Sequence, residues 1–317
     1  ESFSDKSFGG TGTPLLLSVR SGGRISMPGM MDSILNIGLN DANVSQLAEA
    51  FNDERFALDS YRRLIQMYAN VVLGVEHERF EAVLANKKRM DDVDSDADFN
   101  VDQLNWIINA YKNTVERFTD AAFPQEPYDQ LIGAIEAVFN SWQNKRAVTY
   151  RKINNIPDAW GTGATIQTMV FGNLNDKSGT GVAFTRNPSN GDKELYGEYL
   201  INAQGEDVVA GIRTPHPIKT NKKVEQESLE SKFPKAYKEI IEISAKLENH
   251  FKEVQDIEFT IENEEIYLLQ TRKAKRTAQA SVKIAIDMQR EGVVTKEEAL
   301  TMVDANSITN LLHPQFV

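Results

Sequence analysis

A long stretch with helical periodicity, residues 41–145, divides this 317-residue chain into parts that favour different structures. Within it, apolar residues recur every three to five positions, as amphipathic helices require. Three such runs lie at 56–72, 104–118 and 131–142. On either side, short runs of β-branched and aromatic residues stand between glycines, a pattern typical of strands and turns. The first such run predicts a strand from Pro14 to Val19, and strand-like runs resume after Arg146. The sequence therefore predicts a mixed α/β chain with a helical insertion.

The part that follows the insertion ends in a hairpin and a further helical stretch. The runs DIEFTI (256–261) and EIYLLQTR (265–272) are separated only by residues 262–264, which is a hairpin signature. Before them, the Lys- and Glu-rich stretch 219–232 predicts an exposed loop and residues 237–251 predict a helix. In residues 276–317, apolar residues again recur at the spacing of a helix.

Charge and composition exclude several classes of protein. Acidic residues outnumber basic ones by 46 to 35, so the net charge of -11 repels nucleic acid. The chain has no cysteine, which excludes disulfides and favours a reducing compartment such as the cytoplasm. It has no run of about 18 apolar residues that could span a membrane and no visible signal peptide. Because it lacks an initiator Met, we expect a processed or trimmed chain.

The hairpin carries the first candidate site. Side chains alternate faces along a strand, so Asp256 and Glu258 share one face, as do Gln270 and Arg272 on the partner strand. Two carboxylates in a cleft repel each other unless a cation lies between them, and Mg²⁺ prefers oxygen ligands of this kind. Arg272 would then hold a phosphate. The alternative is a solvated face with cross-strand ion pairs, and the residues alone leave both interpretations open.

The stretch SGTG (178–181) is the second candidate. Its glycines are consistent with a tight turn or with a loop whose bare backbone approaches phosphates. It does not match the P-loop, and the chain contains no strand followed by GxGxxG. This stretch by itself favours a structural turn.

The third candidate is SVRSGGRISMPGMMDS (18–33), which combines arginines, glycines and methionines. Arg20 and Arg24 offer forked donors that match phosphate oxygens, and the glycines permit unusual backbone conformations. The methionines are adaptable enough to cover a flat apolar ring. A mobile lid over a polyphosphate would need this mixture, but a core-edge loop that turns its methionines inward would use it equally well. Both interpretations stay open.

Three long segments resemble a known family. They are PLLLSVRSGGRISMPGMMDSILNIGLND, FGNLNDKSGTGVAFTRNPSNGDKELYGEYLINAQGEDVVAGIRTPHPI and DIEFTIENEEIYLLQTRKAKRTAQA. They closely resemble the amino-terminal nucleotide-binding region of pyruvate, phosphate dikinase, and the resemblance runs along nearly the whole chain. SMPGMMD after SVRSG is similar to the dikinase rather than to phosphoenolpyruvate synthase.

The resemblance implies an ATP-grasp fold of two α/β subdomains with nucleotide between them. Residues 1–40 and 146–170 would form an incomplete first subdomain, and 41–145 the helical insertion. Residues 171–275 would form the second subdomain, and 276–317 a helical linker toward a phosphohistidine domain. The family's upstream glycine-rich segment, its phosphohistidine motif and its pyruvate-binding barrel have no counterpart in this sequence.

The resemblance also implies roles for individual residues. Arg20, Glu258, Gln270 and Arg272 would be catalytic, with Arg20 and Arg272 also holding phosphates. Asp256, Glu258 and Gln270 would bind Mg²⁺. The remaining nucleotide contacts would come from the mobile loop, the strand beside adenine and a second loop: Gly29, Met31, Asp32, Gln167, Met169, Val170, Thr180, Gly181 and Glu198.

The implied reaction converts ATP, phosphate and pyruvate to AMP, diphosphate and phosphoenolpyruvate. A histidine on a separate swivelling domain of the same protein would accept the phosphoryl group, so we expect this chain alone to be incompetent for turnover. The resemblance implies a cytoplasmic homo-oligomer with no nucleic-acid or membrane partner. Two alternatives stay open: a dikinase of the phosphoenolpyruvate synthase type, and a non-catalytic nucleotide-binding module.

Overall fold

The computed structural model describes residues 6–10, 12–25, 27, 29–211, 213–220 and 227–308. Some sequence predictions fall outside these residues. They are Pro28 in the third candidate, residues 221–226 of the predicted loop and the end of the predicted linker, 309–317.

The chain divides into two compact units, Glu1–Met169 and Val170–Val317. The predicted finer boundaries within each unit stay predictions. Among the described residues, we find no helix with the length and apolar character needed to cross a membrane.

The first unit combines an antiparallel sheet with helices. Its sheet has the strand order β2-β1-β3. The strands are β1 (Leu17–Gly22), β2 (Ser33–Ile37) and β3 (Gly163–Thr168). The helices are α1 (Val44–Phe51), α2 (Glu54–Val71), α3 (His77–Asp91), α4 (Val101–Thr119), α5 (Pro127–Ser141) and α6 (Lys145–Ile153). Helix α2 packs on β2, and α5 packs on β1 and β3. The predicted helical insertion is therefore confirmed as helical.

Two local predictions in this unit were wrong. The first strand was predicted from Pro14 but begins at Leu17, because proline has no N–H for the ladder and Leu15 donates instead to the Ser7 carbonyl. Strand-like structure was predicted directly after Arg146, yet α6 continues to Ile153. Its buried residues are Ala147 and Arg151, so the helix has no apolar periodicity that the sequence could reveal.

The second unit is built on a five-stranded antiparallel sheet of order β6-β5-β4-β7-β8. The strands are β4 (Gly179–Phe184), β5 (Tyr196–Ile201), β6 (His216–Pro217), β7 (Gln255–Glu262) and β8 (Glu265–Lys273). The helices are α7 (Gly205–Ala210), α8 (Leu229–Lys232), α9 (Pro234–Phe251), α10 (Ala278–Arg290), α11 (Lys296–Thr301) and α12 (Ala305–Ile308). The hairpin and the helix before it are confirmed.

One face of this sheet is a core face. Ala183, Tyr199 and Phe259 lie buried in one cluster with Phe233 and Ile240 from the α8–α9 region. Because strand side chains alternate, the residues between them must point to the other face. A second cluster joins α10 to the hairpin ends through Ile284, Val254 and Ala274.

A buried ion network, which we call the Arg186 network, ties the end of β4 to two helices. The Arg186 guanidinium, 0% exposed, donates to Glu248 on α9 at 2.9 Å and to Glu291 after α10 at 2.8 Å. Burial opposes its charge, but these two carboxylates outweigh that effect and raise the pKa of Arg186. The network therefore fixes the position of the end of β4 relative to α9 and α10.

Candidate functional site

Six predicted site residues lie on the face of the five-stranded sheet that is turned away from the core. In the ladders, Asp256 lies opposite Arg272, and Glu258 lies opposite both Gln270 and Val182. Val182 also lies opposite Glu198. Residues directly opposite in a ladder share a face. We call this the polar face: Thr180, Glu198, Asp256, Glu258, Gln270 and Arg272.

Arg272 is the charged centre of the polar face. Its Nε donates to Asp256 Oδ2 at 2.7 Å, and its Nη1 lies 3.6 Å from Glu258 Oε1. The side chains of Asp256, Glu258 and Arg272 are 14%, 24% and 27% exposed. The predicted shared face is confirmed. It carries cross-strand ion pairs, as the second interpretation of the hairpin expected, but it is half-buried rather than solvated.

A β-bulge sets the position of the predicted amide. Phe259 pairs with Leu268 and Glu258 with Gln270, so Leu269 is the extra residue on β8. A bulge turns the side chains that follow it. It places Gln270 opposite Glu258 and Arg272 opposite Asp256.

The SGTG stretch was interpreted as a turn or loop, and that interpretation was wrong. Gly179, Thr180 and Gly181 lie inside β4, and the Thr180 hydroxyl donates to the Phe259 carbonyl at 3.1 Å. A Cβ on Gly181 would lie 2.6 Å from the Phe259 ring and 2.7 Å from the Glu198 carbonyl. The glycine is therefore required by close packing on the core face. A nucleotide contact of Gly181 stays a prediction.

In the first unit, Arg20 and Gln167 share one face of the three-stranded sheet. Arg20 lies opposite Thr165, and Ser18, two residues earlier, lies opposite Gln167. The Ser18 hydroxyl donates to the Gln167 carbonyl at 3.3 Å. Arg20 is half-buried.

The residues predicted to border adenine continue from β3. The Met169 N–H donates to the Leu16 carbonyl at 2.9 Å, so the chain stays hydrogen-bonded to the β1 side beyond the end of the strand. Val170 is the first residue of the second unit. The next N–H, of Phe171, donates to Glu262 Oε2 at 2.6 Å.

Residues 29–32, which we call the anchored segment, are attached to α6. The Arg146 guanidinium pairs with the Asp32 carboxylate, and the Asn144 amide donates to Asp32 Oδ2 at 2.8 Å. Met30 and Met31 pack against a cluster of Met27, Trp142, Ala147 and Ile156. Of the two interpretations of this stretch, the structure shows the core-edge loop with its methionines turned inward. Gly29 has a φ of 68°, which glycine adopts readily.

Two residues of this arrangement were missed by the sequence analysis, and one was interpreted differently. Asn144 and Arg146 were not proposed, because helix α6 was not recognised. The basic cluster NKRAVTYRK was the available signal. Arg24 was considered as a hydrogen-bond donor to phosphate oxygens, but its guanidinium lies 4.9 Å from the Trp160 ring centroid.

The polar face fits a hard divalent cation by the chemistry of its donors. Asp256 and Glu258 present carboxylates two residues apart on one strand, with the Gln270 amide beside them. One guanidinium balances these two carboxylates, and Glu198 adds a third acidic group to the same face. Mg²⁺ binds in proteins through one or two carboxylates and retains several waters. Among the residues that the structure describes, no cluster of three or more His, Cys, Asp or Glu side chains forms a metal site.

Comparison with known proteins identifies the family. Residues 4–241 and 220–293 match the family model of the pyruvate phosphate dikinase AMP/ATP-binding domain. The chain belongs to this family. The predicted resemblance is thereby confirmed, as is the mixed α/β class.

Members of the dikinase family are similar along the whole chain. Pyruvate, phosphate dikinase of Rhizobium meliloti (strain 1021) is 52% identical over 99% of this chain, and that of Clostridium symbiosum is 52% identical over 100% of it. Pyruvate, phosphate dikinase 1, chloroplastic, of Arabidopsis thaliana is 51% identical over 96%. The chain spans 35% of the length of the first two relatives and 30% of the third.

Proposed function

We propose that this chain binds ATP together with Mg²⁺, with the polar face contacting the metal and the phosphates. One observation carries the proposal. In a chain matched to an AMP/ATP-binding domain, the Asp256 and Glu258 carboxylates, the Gln270 amide and the Arg272 guanidinium lie partly buried on one sheet face. Exposed ion pairs contribute little to stability, so stability alone does not explain these charges, whereas binding of a metal and phosphates does.

Each residue of the polar face has a role in this proposal. Asp256, Glu258 and Gln270 would hold Mg²⁺, which neutralises phosphate charge when it is bound. Arg272 would donate its forked N–H groups to phosphate oxygens. Its 2.7 Å hydrogen bond to Asp256 fixes the orientation of the guanidinium.

Residues of the first unit complete the proposed set. Arg20 would hold the phosphoryl group that is transferred. Gln167, Met169 and Val170 would border the adenine ring, and segment 29–32 would cover the phosphates. Phosphoryl transfer requires positioning and charge neutralisation more than covalent participation of the protein. Two arginines and a pair of carboxylates supply both.

We further propose that the chain serves the reaction of its relatives, pyruvate, phosphate dikinases. ATP, phosphate and pyruvate would be converted to AMP, diphosphate and phosphoenolpyruvate, through a histidine on a separate swivelling domain. The relatives support this reaction over that of a phosphoenolpyruvate synthase or a non-catalytic module. A cytoplasmic location and a homo-oligomeric state belong to the same proposal.

Isothermal titration calorimetry tests the binding step. We expect the 317-residue protein to bind ATP in the presence of Mg²⁺ and to lose most of this affinity when EDTA is added. Glu258→Gln should weaken Mg²⁺-dependent binding strongly, whereas Glu242→Gln, an exposed position on α9, should not. Absence of ATP binding by the wild-type protein, or equal affinity in Glu258→Gln, would refute the assignment.

A further inference from the structure

Helix α6 contacts both the backbone and a side chain of the anchored segment. The Arg146 Nε donates to the Met30 carbonyl at 3.1 Å, while the same guanidinium pairs with Asp32. Asn144, two residues earlier, donates to the second carboxylate oxygen of Asp32 at 2.8 Å. Both oxygens of Asp32 are therefore engaged by one short part of the chain.

These contacts reduce the repulsion that the Asp32 carboxylate would otherwise exert on a polyphosphate. A carboxylate beside a triphosphate repels it, and repulsion grows where water is excluded. The Asp32 side chain is only 17% exposed, so water screens it poorly. The Arg146 charge neutralises the carboxylate, and the Asn144 amide fixes its orientation.

We propose that Arg146 and Asn144 are positioning residues for nucleotide binding, which hold segment 29–32 in the conformation that accepts a nucleoside triphosphate. The inference rests on the proposed function, and it adds residues to which neither the sequence analysis nor the comparisons gave a role. It also changes the role of Asp32, which we assign to attachment of the segment rather than to contact with nucleotide.

The attachment is accessible to solvent. The Arg146 side chain is 51% exposed and lines an open groove of about 990 Å³ that α2, α5 and α6 border. Exposed ion pairs are weakened by salt. We therefore expect nucleotide affinity to fall with ionic strength more steeply in the wild-type protein than in a variant without the pair.

Loss of Arg146 should leave the fold intact, because separate apolar contacts hold the same part of the chain. Met27 is 6% exposed and lies in the cluster with Trp142 and Ala147. An Arg146 variant would release the backbone of segment 29–32 without opening this cluster. The position can therefore be tested in a folded protein.

The experiment compares Arg146→Ala, Arg146→Lys, Asp32→Asn and the Arg146→Ala/Asp32→Asn double variant. Lys145→Ala is the matched control, since it removes one positive charge from the adjacent residue of the same helix. The first measurement is hydrogen exchange of the backbone amides of residues 30–32 without nucleotide. The second is the Kd for ATP in the presence of Mg²⁺.

We expect Arg146→Ala to accelerate exchange in the segment and to raise the Kd by about three- to tenfold, as the net loss of one hydrogen bond predicts. Arg146→Lys should restore part of the affinity, because lysine keeps the positive charge but lacks the paired N–H donors of the guanidinium. The double variant should be little worse than either single one, since both remove the same contact. Lys145→Ala should behave as wild type.

The outcomes separate this inference from the proposed function. If wild-type protein fails to bind ATP, the proposed function is wrong, and the exchange measurement still shows whether Arg146 holds the segment. If wild-type protein binds ATP, two results overturn the inference. One is unchanged exchange in Arg146→Ala, and the other is faster exchange with an unchanged Kd.

Discussion

The polar face and the anchored segment hold their side chains in different ways. On the polar face, Arg272 lies directly opposite Asp256 in the β7–β8 ladder, and the opposite face of the sheet is a packed core. In the anchored segment, Asp32 meets Arg146, 114 positions later in the chain, and the described residues between strands β1 and β2 form no ladder of their own.

This difference shows where a candidate site is fixed by secondary structure and where it depends on tertiary contacts. A strand determines which side chains share a face before any tertiary contact forms. A loop with adaptable methionines takes the conformation that its neighbours select. We therefore expect substitutions on the polar face to reduce nucleotide affinity strongly, and substitutions around the anchored segment to reduce it less.

The largest effect on stability should come from the Arg186 network at the end of β4. Arg186→Ala leaves the Glu248 and Glu291 carboxylates without their shared cation, and Glu248 is only 10% exposed. Breaking a buried ion pair in this way costs about 3–5 kcal/mol. Urea unfolding should show this loss, with the exposed Arg290→Ala as control. A loss below about 0.5 kcal/mol, the range of ordinary surface changes, would mean that the network does not support the sheet.

The next largest effect should be on nucleotide affinity. Arg272→Ala removes the guanidinium that pairs with Asp256 and Glu258 and makes the polar face more acidic. Loss of a partly buried charge of this kind corresponds to an increase in Kd for ATP of about 100-fold. Calorimetry with Mg²⁺ measures it, and Lys246→Ala on the exposed side of α9 controls for net charge. An affinity within about twofold of wild type would remove Arg272 from the site.

A smaller effect should follow from loosening the methionine cluster in the first unit. Met27→Ala should lower the free energy of unfolding by about 2 kcal/mol, at the low end for a buried methionine, because the cluster lies at the edge of the core. Unfolding followed by circular dichroism measures this loss in the unit that contains Trp142 and the rest of the cluster. Met90→Ala, at a position 62% exposed, should change nothing. Equal stability of the two variants would show that the core-edge packing is not formed.

The smallest effect should be a change in pH dependence. Hydrogen bonds from Arg186 lower the pKa of Glu291 below its ordinary value of 4.5. The ionised form therefore stabilises the protein above pH 4.5, and this contribution is lost as pH falls through the lowered pKa.

Glu291→Gln should consequently be less stable than wild type near neutral pH, by about 1 kcal/mol or less since Glu291 is partly exposed. The difference should shrink below pH 4.5. Urea unfolding across this range measures it, with Glu242→Gln as control. A difference that stays constant with pH would contradict the assigned role of Glu291.

The sequence predicted most of the regular structure and the shared face of the hairpin. Asp256, Glu258, Gln270 and Arg272 were recognisable because two-residue alternation is a property of any strand. The sequence alone did not specify the bulge at Leu269 or the half-buried state of the face. Both depend on neighbouring strands and helices.

The remaining features of the candidate site required tertiary information. The glycines of SGTG suggested a turn, yet Gly181 serves close packing against Phe259 inside β4. The attachment of Asp32 was invisible because α6 buries an arginine and an alanine instead of an apolar stripe. Long-range pairs of this kind leave no periodic signal in the residues around either partner.

Methyl NMR with Mn²⁺ and ATP tests the central claim most directly, because the paramagnetic ion broadens the signals nearest to it. We expect Val182 and Thr180, on the polar-face side of β4, to lose intensity at lower Mn²⁺ concentrations than Ala183 and Ile240 in the core cluster. Broadening that is strongest at Ala183 or Ile240, or that spares all four residues while ATP is bound, would contradict it.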